Sequence, residues 1–188
     1  MKHRTFTRSL LFSAVPVLFV ILFFSGYSQI QATPSDVSDN PQVSKLLEDI
    51  LVQSADLQRD SDELESFSHS NVSWESHATE LESIKEHINS IGQTIQKLQN
   101  LRNSASPWQQ EAIDRLIPVA QKLASNTTAA IQHLNQNRTR LQDPRYQEYL
   151  KENAEAASQL NGMIRDFVQY GKTRNTLETL ERRLELQK

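Results

Sequence analysis

The chain contains no cysteine, and its 188 residues include only 4 glycines and 6 prolines. The absence of cysteine excludes a disulfide framework, a lipid-modified cysteine and a C-x-x-C-H haem attachment site. A chain so poor in turn-forming residues favours long helices with few connections. Its stability must come from a packed hydrophobic core, and the chain is long enough to form one.

The sequence also lacks the patterns that carry catalysis. Beyond residue 32 its glycines are Gly92, Gly162 and Gly171, which lie too far apart to form a loop around a phosphate. No serine lies in the strand–turn–helix elbow that exposes a nucleophile. We therefore predict that the chain is not an enzyme and that it has no catalytic or cofactor-binding residues.

Metal binding is not supported by the histidines, which are His3, His69, His77, His87 and His133. None of them has glutamate three residues earlier, as in di-iron bundles, and there is no H-E-x-x-H motif. His77 continues an apolar seam and is expected to be partly buried. His87 and His133 fall outside the seams and are predicted to be solvated.

An acidic cluster is the other candidate for a metal site, and it consists of Asp60, Asp62, Glu63 and Glu65. The cluster lacks the glycine and the alternating ligand spacing of a calcium loop. We interpret it as a solvated acidic face, and we predict that the protein holds neither a metal nor another cofactor.

The first residues carry an export signal. Lys2, Arg4 and Arg8 precede an uncharged apolar run from Leu10 to Phe24, which is typical of a signal peptide. Cleavage would follow residue 28 or residue 32. Alternatively, residues 9–27 stay as a membrane anchor, at the lower limit of the roughly 20 residues that span a bilayer. Residues 1–32 are therefore a signal peptide or an N-terminal anchor, and the rest is periplasmic or tethered to the inner membrane of a bacterium.

Four helix starts divide the remainder of the chain. Residues 33–40 form a polar linker, and an N-cap residue precedes proline at Asn40-Pro41, Ser106-Pro107 and Asp143-Pro144. A fourth start lies near Asn71 or Ser73. The predicted bundle, residues 41–188, has helices at about 41–68, 72–103, 107–141 and 144–187. Pro118 is expected to kink the third helix, and Gly171 to break the fourth.

The spacing of apolar residues predicts the fold class. The second helix carries the clearest heptad seam, which consists of Leu81, Ile84, Ile88, Ile91, Ile95 and Leu98. Long helices joined by short turns must run antiparallel. We predict an all-α, up-down four-helix bundle with coiled-coil-like packing; the alternative is a long hairpin that completes its core by dimerising. Small or polar residues in the seams set the register or line a cavity: Ser54, Ser61, Gly92, Asn126–Thr128 and Gly162.

The charges are unevenly distributed along the chain. Residues 33–96 contain 13 acidic and 3 basic residues, and residues 97–188 contain 10 acidic and 14 basic residues. This distribution argues against a nucleic-acid partner, which would require a dominant basic face. We expect the opposite charges to attract the two halves of the bundle to each other, or one subunit to another. The predicted partners are another protein or a second copy, and the membrane if residues 9–27 are retained.

Two resemblances bear on the cellular location. The segments WQQEAIDRL, ASNTTAAIQHLNQN, YQEYL and DFVQYGKT, in the last two helices, resemble exported helical proteins of environmental bacteria that have no assigned activity. The layout as a whole is similar to the four-helix periplasmic sensor domains of bacterial receptors. Such receptors have a second membrane span and an output domain, so the ending at Lys188 implies that this chain does not signal across the membrane alone.

Two functions are compatible with these features. The first is an exported, non-enzymatic bundle that acts through protein–protein contact or scaffolding in the cell envelope. The second is a periplasmic four-helix bundle that binds a small molecule or an ion. A packed core with an exposed apolar stripe would favour the first function, and a cavity lined by converging polar groups would favour the second.

The N-terminal pattern predicts export. A fusion of alkaline phosphatase to the C-terminus should be active, because that enzyme functions outside the cytoplasm, and residues 33–188 expressed alone should be soluble. Strong activity from a reporter that works only in the cytoplasm, fused at the same position, would contradict the prediction.

Overall fold

The computed structural model describes residues 38–186. The predicted signal peptide or anchor, residues 1–32, lies outside the described residues, as does most of the linker. Within the described residues there are four α-helices, a single 3-10 turn and no strand. The helices are α1 (Pro41–Phe67), α2 (Trp74–Leu101), α3 (Pro107–Gln136) and α4 (Pro144–Glu185), and the 3-10 turn is Arg102–Ser104.

The predicted helix starts are confirmed. The Asn40 side chain accepts a hydrogen bond from the backbone N–H of Gln42 (2.9 Å), and that of Asp143 accepts one from Arg145 (2.9 Å). Ser73 caps α2. These side chains satisfy backbone donors that have no partner in the first turn of a helix, which is why each helix begins where it does.

The helices form an antiparallel bundle. α1 and α3 each pack against both α2 and α4, so the four helices form a closed ring in chain order. The connections between successive helices are short, which makes neighbours run in opposite directions. The predicted all-α, up-down four-helix bundle is confirmed.

The core consists of one apolar seam from each helix. All six predicted seam residues of α2 are buried, and Ile91 is only 1% exposed. The seam of α4 contributes Tyr146, Leu150, Leu160 and Ile164, which are all fully buried. The heptad spacing therefore identified the inner faces of the helices correctly.

Two details of the helices differ from the sequence prediction, namely where α3 ends and how α4 runs at Gly171. Pro118 lies inside α3, on an exposed face where the backbone carbonyl that it leaves unpaired can be hydrated. α3 ends at Gln136 rather than near 141, because the Asn137 side chain bonds back to the carbonyl of His133 (3.1 Å). α4 is not broken at Gly171.

None of the helices within residues 38–186 combines the length and the apolar character that a membrane-spanning segment needs.

The burial of Ile91 gives a direct test of the core. Ile91→Ala should lower the free energy of unfolding by about 2–5 kcal/mol, because the lost side chain leaves a cavity among packed neighbours. Val52, which is 66% exposed on α1, provides the control, since Val52→Ala should change stability by about 0.5 kcal/mol or less. Chemical denaturation would measure both values, and equal midpoints for the two variants would contradict this account of the core.

Candidate functional site

Several of the polar residues in the seams bond to one another, although the buried Ser61 hydroxyl has no partner among the described residues. Asn161 Nδ2 donates to Ser54 Oγ across the α1–α4 contact (3.1 Å). Asn126 Nδ2 and Thr127 Oγ1, both on α3, donate to Asn153 Oδ1 on α4 (3.1 and 3.2 Å). Such pairs fix the register of neighbouring helices, because sliding either helix would leave buried polar groups unpaired.

Aromatic residues and histidines close one end of the bundle. His77 is 1% exposed, and its Nδ1 lies 3.1 Å from the hydroxyl of Tyr146. The His133 ring stacks on Tyr146 at 5.5 Å, and Phe67 meets the edge of His77 at 5.4 Å. Burial lowers the pKa of His77 and raises that of Tyr146. Both groups are therefore uncharged near neutral pH, as expected for a hydrophobic plug.

Three residues that we predicted to be solvated are not. His87 is half-buried and its Nε2 lies 2.9 Å from Asp60 Oδ2, and Asp60 itself is buried. His133 lies within the aromatic plug. The sequence prediction failed here because a contact between side chains of two helices leaves no trace in the apolar periodicity of either helix. No group of three or more histidine or acidic side chains in the described part of the chain could hold a metal ion.

Hydrogen bonds join the residues before α1 to the start of α3 at the opposite end. Asp39 Oδ1 accepts hydrogen bonds from Ser106 Oγ and Trp108 Nε1, both at 2.6 Å. The buried Gln109 side chain accepts from Asn40 N (2.9 Å) and from Ser106 N (3.0 Å). The second of these bonds belongs to the capping box predicted for Ser106 and Gln109. These contacts hold Asp39 and Trp108 at this end of the bundle.

Trp108 packs directly on α4. A Cβ atom added to Gly171 would lie 2.7 Å from the Trp108 indole, so only glycine allows this approach. The Trp108 ring also meets the Tyr170 ring edge-on at 5.5 Å. Gly171 is thus required for packing rather than for breaking the helix, and it is the last buried residue of α4.

Beyond Gly171, α4 projects from the bundle. α4 has 42 residues, whereas α1, α2 and α3 have 27, 28 and 30. Residues 172–185, which we call the overhang, extend about 21 Å at 1.5 Å per residue. Apart from Arg174, which is half-buried, every residue of the overhang is exposed.

The overhang carries large apolar side chains in contact with solvent. Leu177 is 54% exposed and Leu184 is 62% exposed. Apart from Val52, the exposed large apolar residues of the described chain all lie between residues 170 and 186, and they are Tyr170, Leu177, Leu180, Leu184 and Leu186. We refer to Tyr170, Leu177, Leu180 and Leu184 as the leucine stripe.

The leucine stripe follows a coiled-coil repeat. Tyr170, Leu177 and Leu184 are seven residues apart, and Leu180 lies between the last two. Met163 lies seven residues before Tyr170, and Met163, Phe167 and Trp108 line a groove between α3 and α4 that the stripe continues. One apolar strip therefore runs from the side of the bundle to the tip of α4.

Sequence reasoning assigned these leucines to the bundle and so missed the stripe. The signal was present in the spacing, however. The core seam of α4 would continue from Gly171 to Asn175, Glu178 and Arg182, which are polar. The leucines lie one or two positions earlier on the helix. The apolar face of α4 thus moves away from the bundle axis where the bundle ends.

The charges of the bundle are also divided between its two sides. Acidic residues dominate α1 and α2, whereas basic residues are in excess in the second half of the chain. Within residues 38–186 one salt bridge joins the two halves, between Lys172 and Glu48 (3.4 Å). Attraction between the halves therefore operates through few direct contacts, and most of the charge remains on the surface.

Comparison with known proteins identifies no relative. No protein-family model matches the chain, and neither does a curated protein or a solved structure.

The burial of His77 predicts a pH-dependent stability. Because burial lowers the pKa of His77 in the folded protein, the unfolded chain takes up the proton first as the pH falls. The free energy of unfolding should decrease as the pH drops below about 6.5, the ordinary histidine value. The decrease should end below the folded-state pKa, where both states carry the proton.

Two matched variants test this. His77→Gln should remove most of the loss of stability between about pH 7.5 and about pH 5.5, because the unfolded-state protonation of His77 causes it. His69→Gln should retain that loss, since His69 is exposed at the end of α1. Denaturation curves at the two pH values would measure the loss of stability. An undiminished pH dependence in His77→Gln would contradict the conclusion that His77 causes this loss.

Proposed function

We propose that this chain is an exported, non-enzymatic helical bundle that acts by contact with other proteins in the bacterial envelope. The leucine stripe on α4 is the proposed contact site. The observation that carries the proposal is the exposure of these leucines on a helical overhang outside the bundle.

The overhang has little to stabilise it by itself. A helical segment of about 14 residues is marginal in water unless its apolar face is covered. Three of its residues, Thr173, Thr176 and Thr179, have low helix propensity. A partner that covers the leucine stripe would supply the missing stabilisation, since burying each leucine contributes roughly 1.5–3 kcal/mol.

The core favours this role over the alternative of a bundle that binds a small molecule or an ion. A ligand site would need polar groups that converge on an open space. Here Ser54 is bonded to Asn161, and Asn126 is bonded to Asn153. These polar side chains are used for packing between helices, whereas Leu177, Leu180 and Leu184 of the stripe remain exposed in the described chain.

Export remains part of the proposal and is supported by the sequence. The basic residues and the apolar run of residues 10–24 that follows them form the pattern of an export signal. The chain has no cysteine, so its folding after export would need no disulfide formation. The envelope is the compartment in which the stripe would then meet its partner.

Photo-crosslinking tests the contact site. The full chain, produced in its native cells, would carry p-benzoylphenylalanine in place of Leu184 in one variant and in place of Val52 in another. We expect a discrete protein crosslink from position 184 and none from position 52. Both residues are exposed and apolar, so the comparison separates a specific contact from general stickiness.

If position 184 gives no crosslinked protein, or if both positions give the same diffuse products, the stripe is not a protein contact site.

A further inference from the structure

We infer that the leucine stripe pairs with the same stripe of a second copy, through an antiparallel two-stranded coiled coil formed by the two overhangs. This inference rests on the proposed function and names the partner. It depends on three properties of the overhang, which are its spacing, its charges and its length.

The spacing fits one helix as the partner. In heptad notation Tyr170, Leu177 and Leu184 occupy a positions, and Thr173 and Leu180 occupy d positions. An apolar strip confined to a and d is the narrow seam of a two-stranded coil.

The charges select the orientation and the register. In an antiparallel pair an a residue faces a d residue of the partner, and e residues face e residues. When Leu177 faces Leu180 of the second copy, Arg174 faces Glu181 of the second copy, and the twofold axis repeats both contacts. The two Arg–Glu pairs lie along the edge where e faces e, beside a core made of four leucines.

The other arrangements lack this complementarity. A shift by one heptad in one direction places Arg174 opposite Arg174 of the second copy, and a shift in the other direction places Glu181 opposite Glu181. In a parallel pair g residues face e residues, so Thr176 faces Glu181 and no Arg–Glu pair forms. Like charges in such positions are unfavourable, whereas opposite charges specify the partner and its orientation.

The length of the overhang accommodates the pair. In the selected register Leu186 of the second copy lies beside Gly171, the last buried residue of α4. The described overhang of each copy therefore reaches the end of the other bundle, near Trp108 and Tyr170. The two bundles lie at opposite ends of the coil, roughly 20 Å apart at 1.5 Å per residue, and do not collide.

Cysteine crosslinking tests the register, because the chain has no cysteine of its own. Full-length chains carrying Leu177→Cys and Leu180→Cys, with different tags, would be produced together, oxidised and examined on a non-reducing gel. We expect the mixed disulfide to exceed either homodimer by roughly tenfold, since only facing a and d residues approach within disulfide distance.

Charge reversal provides a test that misfolding cannot imitate. Arg174→Glu alone and Glu181→Arg alone should each weaken dimerisation of the full chain roughly tenfold. The variant that carries both substitutions should recover it, because the pairs are then restored with exchanged partners. The yield of the 177–180 disulfide at low protein concentration measures the effect.

The mixed disulfide together with recovery in the double variant supports the inference. A Leu177→Cys homodimer as abundant as the mixed species would overturn it in favour of parallel pairing. No disulfide in any combination, with a photo-crosslink from position 184 to a different protein, would overturn the second copy as partner and leave the proposed function standing. If neither the disulfide nor the photo-crosslink forms, both the pairing with a second copy and the proposed function are overturned.

Discussion

The whole fold depends on the continuous apolar seam of α2. A chain without cysteine has no covalent means of closing its structure, so hydrophobic burial must stabilise the fold. A single helix cannot bury six consecutive seam residues. The packing of α2 against α1 and α3, with α4 closing the ring, covers them on every side. The short connections then leave an antiparallel order as the only arrangement that brings successive seams together.

Apolar seams determine that helices pack, but they do not fix their heights relative to one another. Leucine and isoleucine seams can slide by a heptad with little loss of buried area. The bonds from Ser54 to Asn161 and from Asn126 to Asn153 remove this freedom, because a slipped register would bury these groups unpaired. The contact of Trp108 with Gly171 acts similarly, since the indole fits against α4 only where there is no Cβ atom.

The sequence predicted the fold more fully than the candidate site, for a physical reason. Helix starts and seams are local patterns, so Asn40, Ser106 and the α2 heptads could be identified without a structure. The pair of His87 with Asp60 and the approach of Trp108 to Gly171 join residues distant in sequence, and neither has a local pattern. Gly171 was therefore interpreted as a helix break. The exposure of Leu177 also depended on where the other three helices end, which no pattern within α4 reveals.

The change of face at Gly171 connects the fold to the proposed role. If the core seam of α4 continued in the same phase, Asn175 and Glu178 would be apolar and the helix would simply be a longer part of the bundle. Instead, the leucines are displaced by one or two positions, toward the groove beside Trp108. One helix thus has an inner face that stabilises the bundle and an outer face that the bundle leaves largely exposed. Because α4 is continuous through Gly171, the bundle supplies the helical turns from which the overhang extends, so a partner that covers the stripe need only stabilise the residues beyond them.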